Sequence, residues 1–191
     1  MKLVLLKSAW VGLMFFVAGC LSSPSEGQAK RGSKEGLTRD AKVALQELYS
    51  NVQLAKLLQP KVKAILVFPN VYRAGLMFGG QSGNGVALTP DGRAVDYLNI
   101  TSASYGLQAG AQKYSYALFV MSDAAIEHIK MTRGWEIGTG PTVVLVDWGM
   151  ASMTTTTTLN KDIYAFIFNQ QGLMAGLGLV GSKVTRINPE P

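Results

Sequence analysis

The sequence predicts an α+β fold: short N-terminal helices followed by a curved antiparallel β-sheet or partly closed β-barrel, with one further helix. Three observations carry this expectation. Apolar residues recur at helical spacing between residues 40 and 58. After Pro60 the period changes to strand-like runs broken by Gly, Asn and Asp turn signals. One later stretch, residues 122–131, returns to helical spacing behind a serine.

Taken in order, Thr38 is a candidate N-cap for a first helix in which Ala41, Ala44, Leu45 and Leu48 share a face. Ser50, with Gln53 at capping-box spacing, opens a second that carries Val52, Ala55, Leu57 and Leu58 and stops at Pro60. "KAILVFP" then reads as a strand closed by Pro69. In "AGLMFGGQSGNGVALTPDGRAVDYLNI", Asn84-Gly85 and Pro90-Asp91-Gly92 are turn signals between strands. "SYGLQAGAQKYSYALFVMS" and "TVVLVDWGMA" continue the pattern, with the Ser122-capped helix between them. "DIYAFIFNQQGLMAGLGLVGSKVTRI" ends it, with Gln170-Gln171-Gly172 as the expected hairpin turn. In that last run Leu173, Ala175, Leu177 and Leu179 alternate with Gly172, Gly176 and Gly178, the pattern of a strand whose small face is closely approached.

The first residues have a different character. Lys2 and Lys7 precede an apolar run, residues 9–16, that ends at Ala18 and Gly19, the form of a secretory leader. The run is shorter than the roughly 20 residues that span a bilayer. Cys20, the one cysteine of the chain, follows Val17-Ala18-Gly19, an order that resembles the bacterial lipobox. The expected organisation is a leader at 1–19, a flexible tether at 20–37 rich in Ser, Gly, Lys and Glu, and a domain at 38–191, with acylated Cys20 as the membrane attachment. Leu21 after the cysteine favours the outer membrane and a periplasmic domain. Loss of the leader removes two lysines and no acid, lowering the net charge from +6 to +4. Lys30, Arg31, Lys34, Arg39 and Lys42 concentrate that excess beside the anchor, as a solvated linker or as a patch facing anionic lipid. Nucleic acid is a poor partner for an exported lipoprotein.

Catalytic and metal signatures are sparse. A single cysteine and a single histidine, His128, leave no conventional zinc set and no internal disulfide. There is no phosphate loop, and Gln81-Ser82-Gly83 lacks the spacing of a nucleophile elbow. Asp91, Asp96, Glu136, Asp147 and Asp162 are scattered among expected turns and strand ends. A hydrolase would need a buried acid–base pair around His128 or Asp147. No cofactor is expected.

"KAILVFPNVYRAGLMFGGQSGNG", "SASYGLQAGAQKYSYALFVM", "GWEIGTGPTVVLVD" and "DIYAFIFNQQGLMAGLGLVGSKVTRI" together resemble the SYLF lipid-binding family, over residues 41–188. The resemblance implies a non-catalytic domain that binds membrane lipid. Eukaryotic members are described as binding phosphoinositides, some also actin. Relatives carry basic residues at positions matching Lys61, Lys63 and Arg73, which makes these the candidates for head-group contacts. Gln171 stands where eukaryotic relatives usually carry Lys or Arg, which points away from strongly charged phosphoinositides. The expected partner is a membrane lipid, an anionic phospholipid first. The alternative is a structural envelope protein that recognises a protein or a glycan.

Overall fold

The computed structural model describes residues 32–132, 134–146, 161–175 and 182–191. The leader, Cys20, Lys30, Arg31, Asp147 and the glycines at 176 and 178 lie outside these residues.

Helix α1, Lys34–Asn51, starts a turn before the expected Thr38, because Ser33 accepts the Gly36 amide at 3.2 Å and serves as the N-cap. Thr38 instead donates to the Lys34 carbonyl at 2.7 Å, inside the first turns. The last residues assigned to the tether are thus helical. Ser50 is not a cap either: its hydroxyl donates back to the Gln46 carbonyl at 2.9 Å. Val52, in extended conformation, separates α1 from α2, Gln53–Leu58, and a 3₁₀ turn at Gln59–Lys61 leads into the sheet.

Strands β1, Ala64–Leu88, and β2, Ala94–Val120, form one antiparallel hairpin closed at Thr89–Arg93, where Gly92 has φ +82 as the Pro-Asp-Gly signal requires. A straight strand of this length would reach about 80 Å. The hairpin instead doubles over. A Cβ placed on Gly83 would lie 2.7 Å from the Asn70 carbonyl oxygen, and one on Gly85 would lie 2.5 Å from that of Val67. Tyr114 donates to Gln81 Oε1 at 2.7 Å, tying the two halves from inside. Asn84-Gly85 is therefore no turn. β1 runs straight through it, with Asn84 opposite Asn99, and the glycines are there because backbone passes against backbone.

On the other side of β2, β5 (Ile163–Ala175) pairs with residues 109–120 and β6 (Lys183–Arg186) with residues 98–101. β3, Trp135–Glu136, extends the sheet beyond β6, and β4, Val143–Val146, lies parallel to β5. That pair is the exception to the expected antiparallel sheet, and residues 147–162 join its strands. The expected turn at Gln170-Gln171-Gly172 is a bulge within β5. Asn169 has φ +54 and Gly172 φ +94, and the pairing slips between Ser115 opposite Phe168 and Lys113 opposite Gln171. Helix α3, Asp123–Met131, begins where expected, with Ser122 accepting the Ala125 amide at 3.2 Å.

The curled sheet has two apolar faces. α1 and α2 cover one, with Leu48, Leu58, Phe119, Tyr164 and Phe166 at its centre. α3 and the Trp135 segment cover the other, over Phe68, Leu118, Ile163 and Val184.

Candidate functional site

The second face is incompletely filled. Helix α3 spans only nine residues and packs Ala125, Ile126 and Ile129 against the sheet. Between α3, the base of the hairpin and β6 it leaves an open cavity of about 730 Å³. Leu66, Leu88, Leu98, Val120 and Val184 line it, and Ala64 and Ala87 contribute only methyl groups to its walls. Two exposed apolar side chains, Val95 and Met131, stand at its edge.

Lys63, Lys130 and Arg186 also line the cavity, against one carboxylate, Asp96. Each charge is placed by a different element. Lys63 precedes β1 and its amide donates to the Val120 carbonyl at 2.8 Å; its ammonium pairs with Asp123 at the start of α3. Lys130 sits in the last turn of α3. Arg186 ends β6, with Nε 2.7 Å from Asp96 Oδ2. These groups are largely solvated, so the ion pairs hold geometry rather than supply much stability. Apolar walls below a cationic edge suit a ligand with a hydrocarbon part and an anionic part.

Asp162 holds the near end of α3. It accepts from Ser122 Oγ at 2.9 Å through one oxygen, and from the Thr142 amide and hydroxyl at 3.0 and 2.8 Å through the other. These hydrogen bonds, led by that from the Thr142 side chain, keep its carboxyl below the usual range.

Of the three basic residues singled out in the sequence, the structure brings only Lys63 to the cavity. Lys61 is exposed on the 3₁₀ turn just before it. Arg73 lies ten residues further along β1, opposite Gln112, and is 8% exposed. Burial pushes the Tyr114 phenol up to about 12, against the opposing pull of the Arg73 guanidinium. Lys130 and Arg186 were not singled out. Nothing in their local sequence marks them; only the pairing of β6 with β2 and the return of α3 bring them to Lys63.

His128 faces a hollow of about 220 Å³ with Asp162, and its ring rests where a Cβ on Gly140 would be. Both oxygens of Asp162 are already engaged by Ser122 and Thr142. Among the described residues no cluster of three His, Cys, Asp or Glu side chains could hold a metal ion, and no helix is long and apolar enough to cross a membrane.

Residues 101–189 match the family model Ysc84, described as Las17-binding protein actin regulator, which is the SYLF domain family. Over these residues the chain is similar to the SYLF domain family, consistent with its being a member. The match runs from the middle of β2 to beyond β6, so it takes in α3, Lys130 and Arg186, while Lys63 and most of β1 precede it. Las17 and actin, in that description, belong to the proteins it names. No curated protein matches the chain. SYLF domains form a lipid-binding family, and an apolar cavity edged with cations is compatible with lipid binding.

Proposed function

We propose that this SYLF-like domain holds one anionic phospholipid, its acyl part in the 730 Å³ cavity and its phosphate between Lys63, Lys130 and Arg186. The observation that carries this reading is the cavity itself: hydrocarbon walls under three cations, of which Lys63 pairs with Asp123 and Arg186 with Asp96. Its volume lies within the range of about 300–1,000 Å³ typical of small-molecule sites. Each methylene transferred from water to such walls contributes about 0.8 kcal/mol. Arg186 offers a fork to phosphate oxygens and the lysines a point charge each. Lys61 adds to the positive field beside the edge, and the domain acts by binding, without catalysis.

The Val17-Ala18-Gly19-Cys20 sequence supports an acylated Cys20 as the anchor, in the outer membrane, with the domain in the periplasm. Cys20→Ser should leave the protein unprocessed or soluble; a variant still held by outer membranes at high salt would remove the anchor from this reading.

Lipid extraction and mass spectrometry of the full-length protein purified from its membranes is the test of the cavity. About one phospholipid per chain is expected, and less of it after Arg186→Gln. A lipid content that is negligible, or indifferent to Arg186, would contradict the reading.

A further inference from the structure

The hairpin has a second end, away from the cavity, where it doubles over. Here the pairing slips between Leu76 and Phe78, and Met77 takes φ +63, a left-handed conformation that non-glycine residues rarely hold. Gly75 and Gly79 pinch the inside of the bend; a Cβ on Gly75 would lie 2.7 Å from the Gly79 Cα. The backbone therefore throws Leu76, Met77 and Phe78 outward together. Leu76 is 77% and Phe78 72% exposed, and Leu173 on β5, one strand over, is 90% exposed. Large apolar side chains grouped in water at a strained bend mark a contact surface.

The composition around the bend names the contact. Residues 70–85, 99–115 and 163–175, three segments that run through this end of the sheet, contain no Asp or Glu. Their only formal charges are Arg73 and Lys113. Lys113 lies over the ring of exposed Tyr72, 5.8 Å from its centroid, so an amphipathic pair flanks the apolar apex. Asp40 and Glu47 of α1 line the cleft beside Lys113, while Leu76, Met77 and Phe78 carry no charge. A hydrocarbon point with an aromatic–cation pair behind it matches a bilayer surface, where Tyr and Lys lodge at head-group depth.

We propose that the apex Leu76-Met77-Phe78 inserts into the acyl region of an anionic bilayer, with Tyr72 and Lys113 at the level of the head groups. The inference rests on the reading of this domain as one that works at a membrane, and it adds a second contact at the end opposite the lipid cavity. The test uses the full-length chain in vesicles of phosphatidylglycerol and phosphatidylethanolamine with brominated acyl chains, one tryptophan being added at a time. Phe78→Trp should be blue-shifted and strongly quenched, Tyr72→Trp quenched less, and Val43→Trp, exposed on α1, not quenched, after subtraction of the native tryptophans. Quenching at 78 should weaken in phosphatidylcholine. Equal quenching at 78 and 43, no quenching at 78 or 72, or a blue shift that appears without lipid as protein concentration rises, the sign of a second copy, would each overturn it. Bound lipid measured on the same preparation separates the two readings. Extracted lipid with an unquenched apex overturns this inference alone, whereas loss of both removes the membrane reading as well.

Discussion

The two faces of the sheet differ in how completely they are covered. On one, the eighteen residues of α1 and the short α2 lay Leu45, Leu48, Leu54 and Leu58 over Phe119, Tyr164 and Phe166, with the Phe119 and Phe166 rings 4.9 Å apart. On the other, nine residues of α3 cover part of an equally apolar surface and leave the cavity beside it. Close packing is what apolar surfaces reach when stability alone governs them. In the proposed function, the face left open at the foot of the hairpin, with cations at its edge, is the surface that takes the ligand. The bend apex shows the same economy outward: apolar area exposed where a strained backbone holds it.

The comparison breaks most visibly under large-to-small changes. Leu48→Ala on the covered face leaves a hole that its neighbours cannot close and should cost about 2–5 kcal/mol by denaturant titration. Ile129→Ala, facing the open cavity, adds room to an existing void and should cost clearly less. Equal losses would mean that the two faces are packed alike.

Filling sharpens the contrast. Ala87→Phe points new volume into space that is already empty, so stability should hold to within about 1.5 kcal/mol. Lipid affinity should fall at least tenfold, about 1.4 kcal/mol. Next in size is the edge: Lys130→Gln and Arg186→Gln should each reduce the preference for anionic over zwitterionic vesicles by about 1 kcal/mol, mainly at low salt.

The smallest effect concerns acid. Asp162 titrates below its ordinary value in the folded chain, so its hydrogen bonds to Ser122 and Thr142 contribute fully above about pH 4, the unfolded value, and are lost as pH falls through the folded one. Asp162→Asn should slightly lower the melting temperature at neutral pH and abolish this acid-dependent part. A melting profile that keeps the same acid dependence in the variant would mean that another group carries it.

Much of this architecture is legible in the sequence, and the limits have physical causes. Ser122 with its apolar period gave α3, and Pro90-Asp91-Gly92 gave the hairpin end, because a cap and a tight turn are local devices. Asn84-Gly85 and Gln170-Gln171-Gly172 read as turns but serve as a close backbone approach and a bulge. Residues that permit a turn also permit these, and only the doubled hairpin decides between them. "AGLMFGG" reads as strand; the exposure of its apolar side chains at an apex is a property of the bend at Met77, which no local period encodes. Lys63 came from a family resemblance, whereas Arg186 and Lys130 meet it only through pairings distant in the chain.

Cross-linking with a phospholipid that carries a diazirine near the end of its acyl chain tests the central claim most directly. On the full-length protein in anionic vesicles, adducts are expected on α3 between Ile126 and Met131 and on the cavity walls at Leu66, Leu98 and Val184, and they should be lost with Ala87→Phe. Adducts on the inward side of α1, at Leu45 or Leu48, or cavity labelling that survives the filled variant, would contradict it.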